Sequence, residues 1–386
     1  MKSNRSPGVS RQPPIFGRPY GIGALSRAFS SGWAFEVRNL LHAVAAKIND
    51  YRKIASSTPD SKLVCALEPA AYSTNIGDHI ISDACRREIA DFLPDCQIIF
   101  GTTKSKMSSY AAGNAARCAL VLACGANLLS SRHIFDRAWQ MNFASFAIAR
   151  RVVTFGVGLS DPATPTLPAR TWLRRLLHPR LPHSVRDSRT EAFLRSLGFE
   201  NVINTACPTM WRLSEDLRLR EGLRKSSRCL FTLTDYAKNA DHDRKLVDIL
   251  LRSYRELVFV PQGTGDLRYF RSLSADAEGR IRIGNPSLAF LDSVLSGKDV
   301  DYVGTRLHAG IRALQHGVRT IILAVDGRAE AIAADCNLPV LKRSQIKRIE
   351  EAVNSRLDIE IRLPVEGIRR WKEEIRGVTY EGADDH

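Results

Sequence analysis

The chain has 386 residues, of which 44% are hydrophobic and 25% charged, a balance that excludes a disordered or fibrous protein and leaves room for two domains with separate cores. Its eight cysteines (Cys65, Cys85, Cys96, Cys118, Cys124, Cys207, Cys229 and Cys336) contain no CxxC pair, and several lie in apolar runs such as "LVCAL" and "CALVLAC", which argues against a disulfide framework or a zinc site. The formal net charge of +15 calls for an anionic partner: nucleic acid, an anionic membrane surface or a phosphorylated small molecule.

The basic residues are spread out, with no nucleic-acid module and no stripe of Lys and Arg interleaved with aromatics, so nucleic acid is not the expected partner. No apolar run approaches the ~20 residues that span a bilayer. No apolar core follows the N-terminal basic residues as in a signal peptide, and the expected location is cytoplasmic.

Residues 1–34 are rich in Ser, Gly, Pro and Arg, with no acidic residue before Glu36, and read as a loose basic arm. Over 35–60 the helical spacing of Phe35, Val37, Leu40, Leu41, Val44, Ala45 and Ile48 predicts an amphipathic helix, packed on the body or laid as a foot on a membrane surface. From 61 to 215, "KLVCAL", "CQIIF", "CALVLAC", "RVVTFGVG" and "NVIN" have strand length, separated by helical stretches such as "GDHIISDACRREIADFLP" and "SRTEAFLRSLGF". Residues 226–345 repeat the style with "CLFTLTDY", "ELVFVPQG", "RIRIGN", "VDYVGT", "TIILAVDG" and "PVL" as strands. Residues 346–386 form a helical tail. Apolar strands alternating with helices predict parallel sheets, and the expected fold class is α/β, two Rossmann-like domains facing across a cleft.

In such sheets ligands gather where strands run into helix N-termini. After the first strand, Asn75, Gly77 and Asp78 occupy that turn: Gly77 lets a ligand approach the backbone, and Asp78 suits a helix cap. Gly125, after the third strand, offers the same closeness. Arg186 and Arg189 flank a helix start capped by Asp187 or Ser188, and guanidinium groups hold carboxylate or phosphate in a fork. "GVGLSDP" lacks the rest of a dinucleotide fingerprint, so NAD binding is not supported.

The most informative stretch is "GTRLHAGIRALQHGVRT", residues 304–320. Thr305 is the expected N-cap, Leu307, Ile311 and Leu314 the buried stripe, and Gly317 the stop. Arg306 and His308 then place two potential cations at a helix N-terminus, unfavourable by a few tenths to ~1 kcal/mol each unless an anion sits there too. That combination describes an anion site with a proton donor.

In three segments the chain resembles the polysaccharide pyruvyl transferases: "NIGDHIISDACRREI", "VRDSRTEAFLRSLGF" and "VGTRLHAGIRALQHGVRTIILAVDGRAEAIAADCNLPVL". The resemblance spans about residues 62–342. It implies a GT-B-like arrangement, no metal or cofactor, phosphoenolpyruvate as donor and a saccharide acceptor, with lipid-linked precursors at an anionic inner membrane face as one form. Arg306, Leu307 and His308 match its Arg-x-His element, and Arg186 the arginine of its middle motif. Departures are the thinned Cys124-Gly125-Ala126 turn, Arg328 where a lysine is usual, and Cys207 where an acid often precedes Pro208. In the implied chemistry, Arg186 and Arg306 grip the donor, His308 protonates its methylene carbon, and Asp78 is the candidate base for the attacking hydroxyl. A nucleotide-sugar glycosyltransferase and a non-catalytic sugar-binding scaffold are the alternatives.

Overall fold

The structure, a computed structural model, describes residues 36–43, 45–47, 49–50, 59–132, 139–161, 163–213, 223–273, 279–297 and 299–380. The predicted basic arm, 1–34, lies outside them, as do Phe35, Val44 and Ile48 of the predicted first helix. Two units make up the chain, Met1–Asp50 and Tyr51–His386. In the first, the described residues between 36 and 50 are helical, with Leu40 and Leu41 exposed.

The second unit holds two parallel sheets. The first half runs β1 (Asp60–Glu68), α1 (Ile76–Phe92), β2 (Gln97–Thr102), α2 (Ser109–Ala116), β3 (Cys118–Cys124), β4 (Val152–Phe155), α3 (Leu167–Leu176), β5 (His183–Val185), α4 (Ser188–Ser196) and β6 (Val202–Asn204). After it come β7 (Arg228–Thr232), α5 (Ala240–Ser253), β8 (Glu256–Phe259), α6 (Asp266–Leu273), β9 (Ile281–Ile283), α7 (Leu288–Leu295), β10 (Val300–Gly304), α8 (Leu307–Gln315), β11 (Arg319–Ala324), α9 (Gly327–Cys336), β12 (Val340–Lys342), α10 (Ile346–Asn354) and α11 (Val365–Tyr380).

The first sheet has the order β2-β1-β3-β4, and the second β12-β11-β10-β7-β8-β9. Beyond β4, the pair β5-β6 extends the first sheet through Gly156 and Val157, whose amides donate to Ser184 O at 3.1 and 3.4 Å. In each sheet the strand order reverses once, between β1 and β3 and between β7 and β10. A doubly wound sheet opens a crevice at that reversal, beyond the carboxyl ends of the strands.

The apolar runs form the strands because they are covered on both faces: "CALVLAC" pairs with β1 on one side and β4 on the other, and most of its side chains are buried. Asp301 is the exception in β10, which is buried throughout. Its carboxylate is satisfied by Arg319 Nη1 at 2.6 Å and Tyr254 OH at 2.7 Å, the pairing a buried charge requires.

Helix α1 joins the two halves. Ile81, Cys85, Ile89 and Phe92 belong to the core of the first sheet, whereas Ile76 and Ile80 pack with the second. Arg312 of α8 adds a polar link, bonding Asp83 of α1 at 3.1 Å and Asp292 of α7 at 2.7 Å. The last helix, α11, returns to the first sheet: Trp371 is fully buried, stacks on Phe155 at 4.9 Å and donates its indole N–H to Pro182 O at 2.9 Å. The two halves facing across a cleft make the fold GT-B-like. Among the described residues no helix is long and apolar enough to cross a membrane.

Candidate active site

Both strand-order reversals open onto one cleft of about 420 Å³. Its wall is built from the loops after β1 (Asn75, Gly77, Asp78), β3 (Ala126, Asn127, Leu128), β7 (Asp235, Tyr236) and β10 (Thr305 to His308), with Lys104, Arg186, Gln262 and Arg328 between them. Every one of these segments follows the carboxyl end of a strand, so the topology alone brings them together.

Helix α8 starts without a cap. Arg306, not Thr305, is the N-cap residue, and no side chain accepts from the first turn. Thr305 is drawn back into the sheet, its amide donating to Thr232 O at 3.0 Å. The leading amides of α8 therefore keep their hydrogen-bonding capacity, and the positive end of the helix dipole lies in the cleft wall. Leu307 is half-buried and lines the cleft, while Ile311 and Leu314 are buried as the spacing predicts. Gly317, at φ +70°, follows the helix end as the stop.

His308 lines the same wall. Its Nε2 lies 3.9 Å from the Cys207 thiol, and its Nδ1 faces the α1 turn, where a Cβ added to Gly77 would lie 3.6 Å away. Burial first, and then Arg186 and Arg328, lower its pKa from the usual 6.5 to about 3. Desolvation and two arginines other than the adjacent Arg306 supply the shift. Without a ligand the imidazole is neutral.

The arginines divide into committed and open ones. Arg306 departs from the expected open fork: Nη2 donates to both oxygens of buried Asp266, at 2.5 and 2.6 Å, and Tyr236 lies under its guanidinium at 5.2 Å. Asp266, at the start of α6, also accepts from the amides of Gln262 and Gly263 at 2.9 and 2.8 Å, so it ties Arg306 to the β8 loop. Arg328 is committed as well, to Asp326 and, at 3.0 Å, to Tyr236 OH.

Arg186 is different. It is 2% exposed, and its one carboxylate contact is Nε to Asp187 Oδ2 at 3.2 Å, while Asp187 also caps α4 through Thr190 N at 2.8 Å. Nη2 is buried without a partner. Unpaired buried donors are costly, and this one belongs to a cleft-lining residue. Asn127 Oδ1, both amide atoms of Gln262 and Arg306 Nε are also buried and unpartnered, and their residues line the same cleft. The cleft wall thus holds both donors and acceptors without partners.

Asp78 does not cap α1. Asn75 does, its Oδ1 accepting from Gly77 N at 3.2 Å, and Asp78 sits in the first turn. There its Oδ2 accepts from Ser73 Oγ at 2.6 Å and lies 3.2 Å from Lys104 Nζ. Two predicted contacts fall outside the wall. Gly125 adopts φ +55° with Ile81 behind it, where an added Cβ would come within 2.1 Å of a methyl group; its role is the turn that presents Ala126 and Asn127. Arg189 is exposed and donates to Gly327 O at 3.2 Å, linking α4 to the start of α9.

Lys104, Asn127, Asp235, Tyr236, Gln262 and Asp266 are functional candidates that reasoning from the sequence missed. The glycine pair of "PQGTGD" and the acidic "TDY" after strands were the available signals, and α6 itself was not predicted.

Fold and cleft together define a two-lobed α/β protein whose facing strand ends bring arginines, the start of α8 and a neutral imidazole to one cleft. The model of the polysaccharide pyruvyl transferases matches residues 75–327. The chain belongs to that family, and is a transferase whose acceptor is a saccharide. No curated protein matches it. Among solved structures it is similar to the UDP-GlcNAc 2-epimerase of Methanocaldococcus jannaschii (12% identity, TM-score 0.46, covering 82% of this chain and 99% of that one). The UDP-GlcNAc 2-epimerase of Neisseria meningitidis bound to UDP-GlcNAc (12%, 0.41, 83% and 100%) and the wall teichoic acid polymerase TagF (12%, 0.40, 90% and 92%) are also similar.

Proposed function

We propose that this protein transfers the pyruvyl group of phosphoenolpyruvate to a sugar of a polysaccharide or its lipid-linked precursor, forming a cyclic ketal and releasing phosphate. The observation that carries this is the buried, unpartnered Nη2 of Arg186 in the cleft that also holds the uncapped N-terminus of α8 and His308. Phosphoenolpyruvate bears a carboxylate and a phosphate, whose oxygens accept from such N–H groups. Arg306, held by Asp266, contributes charge from behind more than an open fork.

In this scheme the donor dianion reverses the electrostatics around His308. Moving its pKa from about 3 back to neutrality requires ~5 kcal/mol, and each negative charge at about 4 Å supplies ~4 kcal/mol at an effective dielectric of 20. One bound donor is therefore enough to charge the imidazole. The imidazolium then gives its proton to the methylene carbon, C2 becomes electrophilic, and a sugar hydroxyl adds to it as its proton passes to a base. Both contacts of Asp78 fall on Oδ2, so Oδ1 is the oxygen proposed to receive that proton. Phosphate leaves, and a second hydroxyl closes the ketal. No cofactor takes part, and the proposed setting is cytoplasmic, at the inner membrane face when the acceptor is lipid-linked.

The test is to supply phosphoenolpyruvate with a galactose-containing acceptor and follow phosphate release and ketal formation. Production of both, abolished in Arg186→Ala, is the expected result. Turnover of a nucleotide-sugar instead would make the protein a glycosyltransferase, and stabilisation by phosphoenolpyruvate without turnover would make it a binding scaffold.

A further inference from the structure

Away from the cleft, the segment from Pro162 to Val185 contains Arg170, Arg174, Arg175 and Arg180 and no acidic residue. Asp161 and Asp187, the carboxylates that bracket it, are engaged by Ser131 at 2.7 Å and by Thr190 at 2.7 Å. Several exposed arginines elsewhere are paired: Arg195 with Glu191, Arg369 with Glu366 and Glu373, Arg370 with Glu374. Among the described residues, the side chains of Arg150, Arg170, Arg174, Arg175 and Arg180 form no ion pair.

These charges lie close together. Arg150 and Arg180 both depress the pKa of His178 between them, after burial, and Arg150 N donates to Arg175 O at 2.9 Å. Beside them is an apolar ridge. Phe146 touches Trp172 of α3, ring centroids 5.0 Å apart, and stacks on Phe143 at 6.4 Å. Phe143 is 45% exposed and Leu167, the first residue of α3, 75%.

We propose that the surface formed by α3, the turn Phe143–Ile148 and the 178–180 loop docks this protein on an anionic membrane. Unpaired arginines attract acidic headgroups, and an adjoining aliphatic and aromatic edge enters the acyl boundary, the division of labour of an interfacial helix. Charge alone would equally suit an acidic polysaccharide. Leu167, an aliphatic side chain held out in water beside the arginines, favours the lipid surface.

Flotation of the full-length protein with phosphatidylcholine vesicles, with and without phosphatidylglycerol, tests this. Binding is expected to the anionic vesicles only, to fall at high salt, and to weaken on the order of 100-fold in R174Q/R175Q/R180Q, roughly fivefold per arginine. Leu167→Ser should weaken it several-fold with the charges intact, and unchanged far-UV circular dichroism verifies that each variant is folded. Equal binding to neutral vesicles, or full binding by the triple variant, overturns the proposal. Capture by an acidic polysaccharide in place of vesicles does so too.

Discussion

At the scale of single residues, the site depends on which cations are already spoken for. Asp266 and Asp326 hold the terminal nitrogens of Arg306 and Arg328, leaving Arg186 as the cleft arginine whose buried Nη2 has no partner. The neutral His308 is consistent with a proton that arrives with the donor. Replacing His308 with Ala should lower the rate of phosphate release on the order of 100- to 10,000-fold, measured at saturating phosphoenolpyruvate; near-normal turnover would remove it from the role of acid.

The Arg-x-His stretch was legible in the sequence because two cations at a helix start need an explanation. The commitment of Arg306 was not, since its partner Asp266 lies 40 positions away on a helix the periodicity did not reveal.

At the scale of elements, strands were read more securely than caps. Long apolar runs such as "CALVLAC" and "TIILAVDG" have no other stable use than strands covered on both faces, and they are β3 and β11. Short β5 was missed because three residues carry no period. Asp78 was expected to cap α1 where Asn75 does, and Thr305 to cap α8, whose N-cap position falls on Arg306 with no side-chain bond. Any of several polar residues in a loop can cap, and backbone geometry decides among them.

Helix α11 shows what a terminal element contributes. Trp371 fills the space between Phe92, Phe155 and Trp211, so Trp371→Ala should destabilise the protein by about 3–5 kcal/mol. The shift in a denaturant midpoint measures this, and a change under 1 kcal/mol would mean that α11 is not part of the first core.

At the scale of the whole molecule, two histidines, His183 buried and His308 half-buried, link stability to acid. Burial lowers His183 to about 4 and His308 to about 3, below the 6.5 of the unfolded chain. Between those values the unfolded state binds more protons, so stability is complete above pH 6.5 and is lost as pH falls through the window. Thermal melts from pH 7 to pH 4.5 should show a falling midpoint, with a shallower fall in His308→Gln.

The two-lobed plan could be read from alternation of strands and helices. The meeting of both strand-order reversals at one cleft could not, because strand order is a property of pairing between segments distant in sequence.

The central claim is that the anionic donor is gripped at the start of α8 and charges His308 on arrival. Calorimetric titration of phosphoenolpyruvate at pH 7, in two buffers with different heats of protonation, measures this directly. Proton uptake on binding, absent in His308→Ala, is the predicted result. Binding without proton uptake, or uptake that persists in the variant, would contradict it.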